Sequence, residues 1–593
     1  YTPVVKTIAL CLILITLWSF VMGASSHSAG LRDVYPDTWV ATDGLGRRVS
    51  TAAQVDAPRE GKFVGMFYFL WLGAHGVGGP HDITKILAAD QDALSKTTSP
   101  PWGKLHAFHH WGESLFGYYL SDDQWVLRKH AGMLSDAGVD VVIFDVTNQA
   151  TYPSSYLALC EAWTAARRDG NRTPQIAFLC PFGNPRGVVD ELYRDFYSKG
   201  LYSDLWFLWK GKPLIMADPA MVSDEVKGFF TYRKPQPSYF DGPTGPDQWG
   251  WLEVHPQHVF YNSNGDPEQM TVGVAQNSQN ARRLSAMSEK NVTGRSWHGG
   301  RKDERPGAVN LGLNFAEQWE RALTVDPEFI FITGWNEWVA MWLNDFGGVQ
   351  EPVMFVDQFD HEYSRDIEPM RGGHWDAYYY QTVDFIRQYK GARPAPKAGP
   401  EKTIAIDGRF DDWKDVRPEY RDGIGDTMHR DHPGWGDAGR YVNTTGRNDI
   451  VETRVARDAR NVYFYVRTRQ PLTPHTDPNW MLLFINADGR WESGWEGYNF
   501  IVNRALKNAS TSVLERSSGG WVWEAVCDVK IAVRGAEMEL SIPRSSLGLE
   551  DLSRPLRFEF KWADNIQNPG DPMEFTVNGD AAPNGRFNYL YQE

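Results

Sequence analysis

Phe329-Ile330-Phe331-Ile332-Thr333-Gly334-Trp335-Asn336-Glu337-Trp338 is the stretch on which the reading of the fold turns. Its apolar and β-branched half runs without alternation, as a strand buried on both faces of a parallel sheet does. It then breaks into Gly, Trp, Asn, Glu and Trp, a poor choice for a core and a good one for a ligand site. In a parallel α/β barrel the chemistry sits at the C-terminal ends of the strands. A carboxylate between two indoles and beside an amide suits sugar chemistry, with rings on the C–H face and polar groups on the oxygens. Glu337 is therefore the leading catalytic candidate, and a strand-end carboxylate that merely caps the next segment is the competing reading.

Working outward, the same pattern recurs. Phe63–Trp71 is a second apolar, aromatic strand, followed by a long loop through His109-His110-Trp111-Gly112-Glu113; loops of that length in compact domains are usually functional. Ser121 and Gln124 have capping-box spacing before a helix-periodic run that Gly138 ends, and Val139–Phe144 then forms a strand closing in Asp145-Val146-Thr147-Asn148. Helices near 155–168 and 188–198 alternate with strands at 175–182 and 213–218. Further strands are expected at 250–254 and 270–277, then a helix over 314–323. With a weak element around 108–119 the count approaches eight. The expected fold class is α/β, a (β/α)8 barrel over residues 55–390. No Gly-x-Gly-x-x-Gly follows the first strand, so a dinucleotide site has no support.

Residues 391–402 are rich in Pro, Ala and Gly and read as a linker, and a cut near Ala398 is expected to leave two folded pieces. From 403 to 593 the period changes to two: Met538, Leu540 and Ile542 alternate with polar residues, as do Phe558, Phe560 and Trp562. Such strands predict a C-terminal β-sandwich.

A chain of 593 residues with net charge −15 is a poor partner for nucleic acid or an anionic membrane. Lys6, the apolar run Ile8–Met22 and the small residues 23–26 make residues 1–30 a signal-peptide layout, so the protein is expected to be exported, without stable membrane insertion after cleavage. An uncleaved anchor is the alternative reading. Cys160, Cys180 and Cys527 then remain, which make no disulfide framework and no metal-binding pair. No cofactor or metal is expected.

Glycosidic hydrolysis commonly needs two carboxyl groups. Strand-end acids are Asp145, Asp218, Glu253 and Glu337, and Asp145 and Glu253 are the candidate partners of Glu337. Asp145 reads equally as a helix cap, and Asp218, before Pro219, reads as structural. Trp71, His109, His110, Trp111, Glu113, Asn148, Trp335, Asn336 and Trp338 are the candidate substrate contacts. Core packing is the alternative for each indole, and a metal site the weaker alternative for the adjacent histidines.

Thr333–Trp338, the strand Met66–Trp71, the unit from Gly117-Tyr118-Tyr119 to Asp145, and Phe355-Val356-Asp357 together resemble glycoside hydrolase family 99 over roughly residues 60–390. The resemblance implies a (β/α)8 barrel related to endo-α-mannosidases, with Glu337 on the first glutamate of an Asn-Glu-Trp-x-Glu motif. The second glutamate falls on Ala340, which cannot transfer a proton, so a partner acid must come from elsewhere. Ile404–Trp413 with Asn461–Tyr465 is similar to family 9 carbohydrate-binding modules. In that domain Trp491, Trp495 and Tyr498 are the candidate glycan-stacking residues. Asp407 and Asp411 read as turn acids or, less favourably, as calcium ligands. The function expected is an exported glycoside hydrolase acting on a polysaccharide or glycan. A non-catalytic glycan-binding protein or a glycosyltransferase-like relative are the alternatives.

Overall fold

A computed structural model describes residues 30–76, 78–96 and 102–593. The expected signal peptide, Gly30 apart, lies outside the described residues. Among the described residues no helix is long and apolar enough to cross a membrane.

The chain is mixed α/β, with a barrel-like parallel sheet followed by a large antiparallel one. The parallel strands are β1 (Phe63–Tyr68), β2 (Val141–Asp145), β3 (Gln175–Leu179), β4 (Lys212–Met216), β5 (Thr231–Gln236), β6 (Gln248–Gly250), β7 (Pro267–Gly273) and β8 (Phe329–Thr333). They pair side by side in chain order from β1 to β6, and β7 pairs with β8, which pairs back with β1. The seam between β6 and β7 has no backbone ladder. Gln269 bridges it instead, accepting from Gly250 N at 3.0 Å and donating to Gly250 O at 3.1 Å.

Helices accompany only part of this ring. They are α1 (Gln124–Ala137), α2 (Pro153–Arg168), α3 (Arg186–Leu192), α4 (Leu313–Val325) and α5 (Ala377–Lys390). β4 is followed by a single helical turn, Asp224–Lys227, and the β5–β6 and β6–β7 connections carry no helix. The expected (β/α)8 pattern is thus incomplete on one side, where polar β5 and three-residue β6 leave little apolar surface for a helix to cover.

Three local expectations change. The element around 108–119 is not a barrel strand: Phe108–His110 pairs antiparallel with Val339–Met341 on the rim. The strand expected at 250–254 lies earlier, at Gln248–Gly250. The cap of α1 is Asp123, whose carboxylate accepts from Trp125 N and Val126 N; Ser121 instead accepts from Leu72 N at 2.9 Å.

Residues alternate across the ring. Ile143, Leu179, Met216, Trp249, Phe329 and Phe331 fill its inside, while Val142, Phe144, Ile176, Ile330 and Ile332 face the helices. Gly65 permits this filling, since a Cβ there would lie 2.6 Å from the Phe329 ring. The interior also holds a buried ion pair. Arg233 donates to both oxygens of Glu268 at 2.6 and 2.7 Å, and the indoles of Trp209 and Trp249 donate to the same carboxylate.

The C-terminal strands are β9 (Glu419–Arg421), β10 (Ile450–Arg457), β11 (Asn461–Thr468), β12 (Leu482–Asn486), β13 (Phe500–Asn508), β14 (Thr511–Gly519), β15 (Val522–Arg534), β16 (Glu537–Pro543), β17 (Arg557–Asp564), β18 (Asp580–Ala582) and β19 (Tyr589–Gln592). They form one continuous ladder in the order β9-β10-β11-β16-β15-β14-β13-β12-β17-β18, with β19 also on β17. The sheet curls until its ends face each other: Phe464 meets Phe558 and Phe560 at 5.8 and 5.5 Å, and Tyr420 meets Tyr589 at 4.9 Å.

Its opening Asp-Gly-x-x-Asp-Asp-Trp folds around Glu539, which accepts from Asp407 N, Gly408 N and the Trp413 indole at 2.8–2.9 Å. Asp407 closes a local turn onto Arg409 N, and exposed Asp411 pairs with Lys414, so both are turn acids. Trp495 and Tyr498 are not stacking platforms. They are buried against Phe484 and Phe575, and the Tyr498 hydroxyl donates to Asn588. Trp491 lies against Gly46 of the N-terminal segment.

Residues 391–402 are tied on both sides, by Ala392 N to Asp56 O (2.9 Å) and by Ala398 N to Gln592 O (2.7 Å). Arg586 pairs with Asp376 of the barrel at 2.6 Å. A hairpin, Arg430–Pro433 with Arg440–Asn443, reaches the barrel rim, where Arg430 pairs with buried Asp123 at 2.7 Å.

Candidate active site

β8 delivers Glu337 to the C-terminal rim of the ring. An antiparallel hairpin, Val339–Phe346 with Val349–Phe355, begins just after it and ends just before Asp357. The hairpin therefore returns a second acid to the neighbourhood of the first. Arg365 lies between them: its Nη2 is 2.9 Å from Glu337 Oε2 and 4.0 Å from Asp357 Oδ1. Gln358 also donates to Glu337 Oε2, at 3.1 Å, and to Asp366 Oδ2, at 2.9 Å. Asp366 closes the cluster by accepting from Glu337 N at 2.7 Å. Glu337, Arg365 and Asp366 are buried, whereas Asp357 keeps 53 % of its side-chain surface open to solvent.

Asp145, the last residue of β2, faces the same space. Its Oδ1 accepts from Thr147 N and Oγ1, and Trp71 Nε1 lies 3.5 Å from its Oδ2. Aromatic rings line the rest. Trp71 is stacked 6.1 Å from Tyr152, and Trp251 sits between Phe182 and Tyr239 at 5.7 and 5.6 Å, with the Arg365 guanidinium 5.8 Å from its ring.

Burial pushes the Glu337 carboxyl well above the usual range; Arg365 opposes the shift, and Asp357, Asp366 and Asp145 reinforce it. Asp357 and Asp145 are also raised, chiefly by burial, against the pull of Arg365 on one and of the Thr147 hydrogen bonds on the other. The effect on Asp357 is the weaker, because so much of its side chain meets water. Burial takes Asp366 to about 7, against the Glu337 N–H and Arg365. Arg365 keeps its proton, since the neighbouring acids outweigh its burial. Glu337, Asp357 and Asp366 crowd this one guanidinium, and burial of the first and last disfavours both being charged at once.

The sequence-derived candidates divide sharply. Glu337, Asp145 and Trp71 meet in the cleft, and exposed Asn148 stands on its rim beside Tyr152. Glu253 does not meet them. It is fully buried, bonded to His258 N and Nδ1 at 3.0 and 2.9 Å, and burial raises it to about 9. Trp111 and Trp338 are buried and stacked on each other at 4.6 Å; the Trp111 indole donates to Glu337 O, so the pair props up the backbone behind the acid. Trp335 is buried against His130 at 5.4 Å.

Asn336 clasps the chain after β1, accepting from Phe69 N and donating to Phe69 O. His109 packs among His81, Trp102 and Phe355, and His110 against Tyr118 and Trp435, where burial lowers it to about 3. Glu113 pairs with Lys85 at 2.8 Å. These residues are supports: Asn336 holds the chain after β1, and His109 and His110 lie in a covered layer on the strand that pairs with Val339 and Ala340 of the rim hairpin. Ala340 lies in that covered layer too, with Ile83, Trp102 and Phe355.

Sequence reasoning missed Asp357, Gln358, Arg365, Asp366, Tyr239 and Trp251. The signal was present for four of them: 357–368 is dense in charge yet directly follows the apolar strand end Val353–Val356.

No protein-family model and no curated protein matches the chain. Two solved structures of the glycoside hydrolase family 99 endo-α-mannosidase from Bacteroides thetaiotaomicron align with it. One, in complex with bis-tris propane, is 17 % identical over 55 % of this chain and 97 % of its own, with a TM-score of 0.33. The other is 16 % identical over 56 % and 98 %, with a TM-score of 0.34. So loose an overlay carries no argument, and the functional reading rests on the cleft.

Proposed function

We propose that the protein is an exported glycoside hydrolase that cleaves glycosidic bonds in a polysaccharide or other glycan. One observation carries the reading: Glu337 and Asp357 approach the same guanidinium nitrogen of Arg365 beside the rings of Trp71 and Trp251. The two acids are no farther apart than those contacts laid end to end, and glycosidase carboxyls sit about 5–9.5 Å apart. Glu337 is the proton donor. Its Oε2 is engaged by Arg365 and Gln358, so the proton that burial favours resides on Oε1 and passes to the leaving oxygen. Asp357, half exposed, is the carboxylate that ionises first and acts as base or nucleophile; Asp145 assists through its charge. Trp71 and Trp251 offer faces to the sugar rings.

Reducing-sugar release from a panel of polysaccharides tests the reading. Glu337→Gln and Asp357→Asn should each lower turnover by about 100- to 10,000-fold with unchanged thermal unfolding. Near-normal turnover in Glu337→Gln would remove that residue from the mechanism. Glycan retention without any release of reducing ends, weakened by Trp251→Ala, would establish the binding-protein alternative.

A further inference from the structure

A second group of acids lies away from the cleft, where the C-terminal sheet meets the barrel. Asp422 and Asp426 flank Gly423-Ile424-Gly425 in the loop after β9, and Asp580 opens β18. One carboxylate oxygen from each lies within 4.8 Å of the other two. Oxygens that share one ion at the usual calcium–oxygen distance of about 2.3–2.6 Å can stand no farther apart than about twice that distance, a limit that all three pairs meet.

Two further observations point to a ligand. Asp422 is 1 % exposed and neither of its carboxylate oxygens has a hydrogen-bond partner; the same holds for both buried oxygens of Asp426. Asp449, 9 % exposed, accepts from Gly425 N with Oδ2 at 2.8 Å, yet its Oδ1, beside Asp426, is unpartnered. Buried carboxylates normally find donors, and leaving several together without them is costly. Two of the cations nearby are otherwise engaged, and Lys129, which also acts on Asp580, lies over the Trp125 ring. Lys561, which faces Asp422 and Asp580, donates to Pro583 O, and Arg469 is 3.1 Å from Asp169 but 3.8 Å from Asp449.

We infer that Asp422, Asp426 and Asp580, with Asp449 beside them, bind a hard divalent cation of calcium size that fixes the C-terminal sheet to the barrel. The all-oxygen donor set excludes a soft metal, and Mg2+ at about 2.0–2.1 Å would need the acids to close in. The structural consequence follows from Ile424, between two of the acids. Its carbonyl accepts from Arg128 of α1 at 2.6 Å and from Asn171, after α2, at 2.7 Å, and its N–H donates to Asn171 Oδ1 at 2.9 Å. An ion that orders this loop therefore orders the grip on both helices.

The test uses the full chain, stripped with chelator and then titrated with CaCl2 or MgCl2, read by thermal unfolding, calorimetry and elemental analysis. Calcium at millimolar concentration should raise the midpoint by at least about 3 °C, magnesium by less. Asp426→Asn should lose that increment, yet in metal-free buffer melt no lower than the parent, because it removes a repelling charge. Asp422→Asn should behave alike and serves if the first variant does not fold. An unshifted midpoint with no bound calcium, or a full increment in both variants, overturns the site.

Discussion

Arg365 holds the chemistry of the cleft in one side chain. Its charge opposes the burial that raises Glu337, Asp357 and Asp366, so it sets how far their proton affinities climb. Removing that charge in Arg365→Gln should raise all three. The limb of the pH–rate profile on which the base ionises and the limb on which the acid loses its proton should both move to higher pH. Arg365→Lys keeps a cation and should shift the profile less; identical profiles for parent and Arg365→Gln in kcat/KM would show that the acids do not feel it. Of this cluster only Glu337 was singled out from sequence, because it ends an unbroken apolar strand; the charge density of 357–368 hints at the rest without placing it. Asp357 and Arg365 lie beyond a hairpin whose return to the cleft is a tertiary fact.

At the level of elements, legibility followed the burial pattern. β2, β3, β4 and β8 announce themselves as apolar runs, since helices cover one face and the packed interior the other. β5, Thr231-Tyr232-Arg233-Lys234-Pro235-Gln236, does not, because its inward residue is Arg233, and a proline interrupts it. Its charge is balanced chiefly by Glu268 on β7 at 2.6 Å, with Asp247 farther off at 3.6 Å. Glu268→Ala would leave two indoles without their acceptor and the guanidinium with only Tyr232 O and the more distant Asp247, and should cost about 3–5 kcal/mol in chemical denaturation. Glu268→Gln, which keeps an acceptor, should cost less. A loss below about 1 kcal/mol for the alanine variant would mean that Arg233 relaxes onto another partner.

Across the whole molecule, the change from unbroken apolar runs to period two near residue 400 marks a true change of sheet, yet not an open joint. Tyr379 and Tyr380 of α5 pack on Phe587, Trp39 packs on Phe587 and Tyr589, and Asp376 depends on Arg586 for its counter-charge. A chain cut near Ala398 would expose these rings and strand a buried carboxylate. Fragment 31–398 should therefore aggregate or melt well below the full chain in a circular-dichroism scan, contrary to what the Pro-rich segment alone implies. A cooperative melt at the parent temperature would show that the barrel stands without its neighbour. Polar alternation in β17 misled for the same reason: Glu559 and Lys561 are buried although they occupy the polar positions.

The rim hairpin works as a calliper. Its jaws are Glu337 and Asp357, its legs are locked by pairs such as Trp342 with Phe355 and Leu343 with Met354, and its tip is Gly347-Gly348, both at positive φ. The jaw gap depends on the register of the legs and not on the length of the tip. Extra residues at the tip should leave catalysis intact, whereas a slip of one residue along a leg, about 3.4 Å, would turn an acid to the other face and close the tool on nothing.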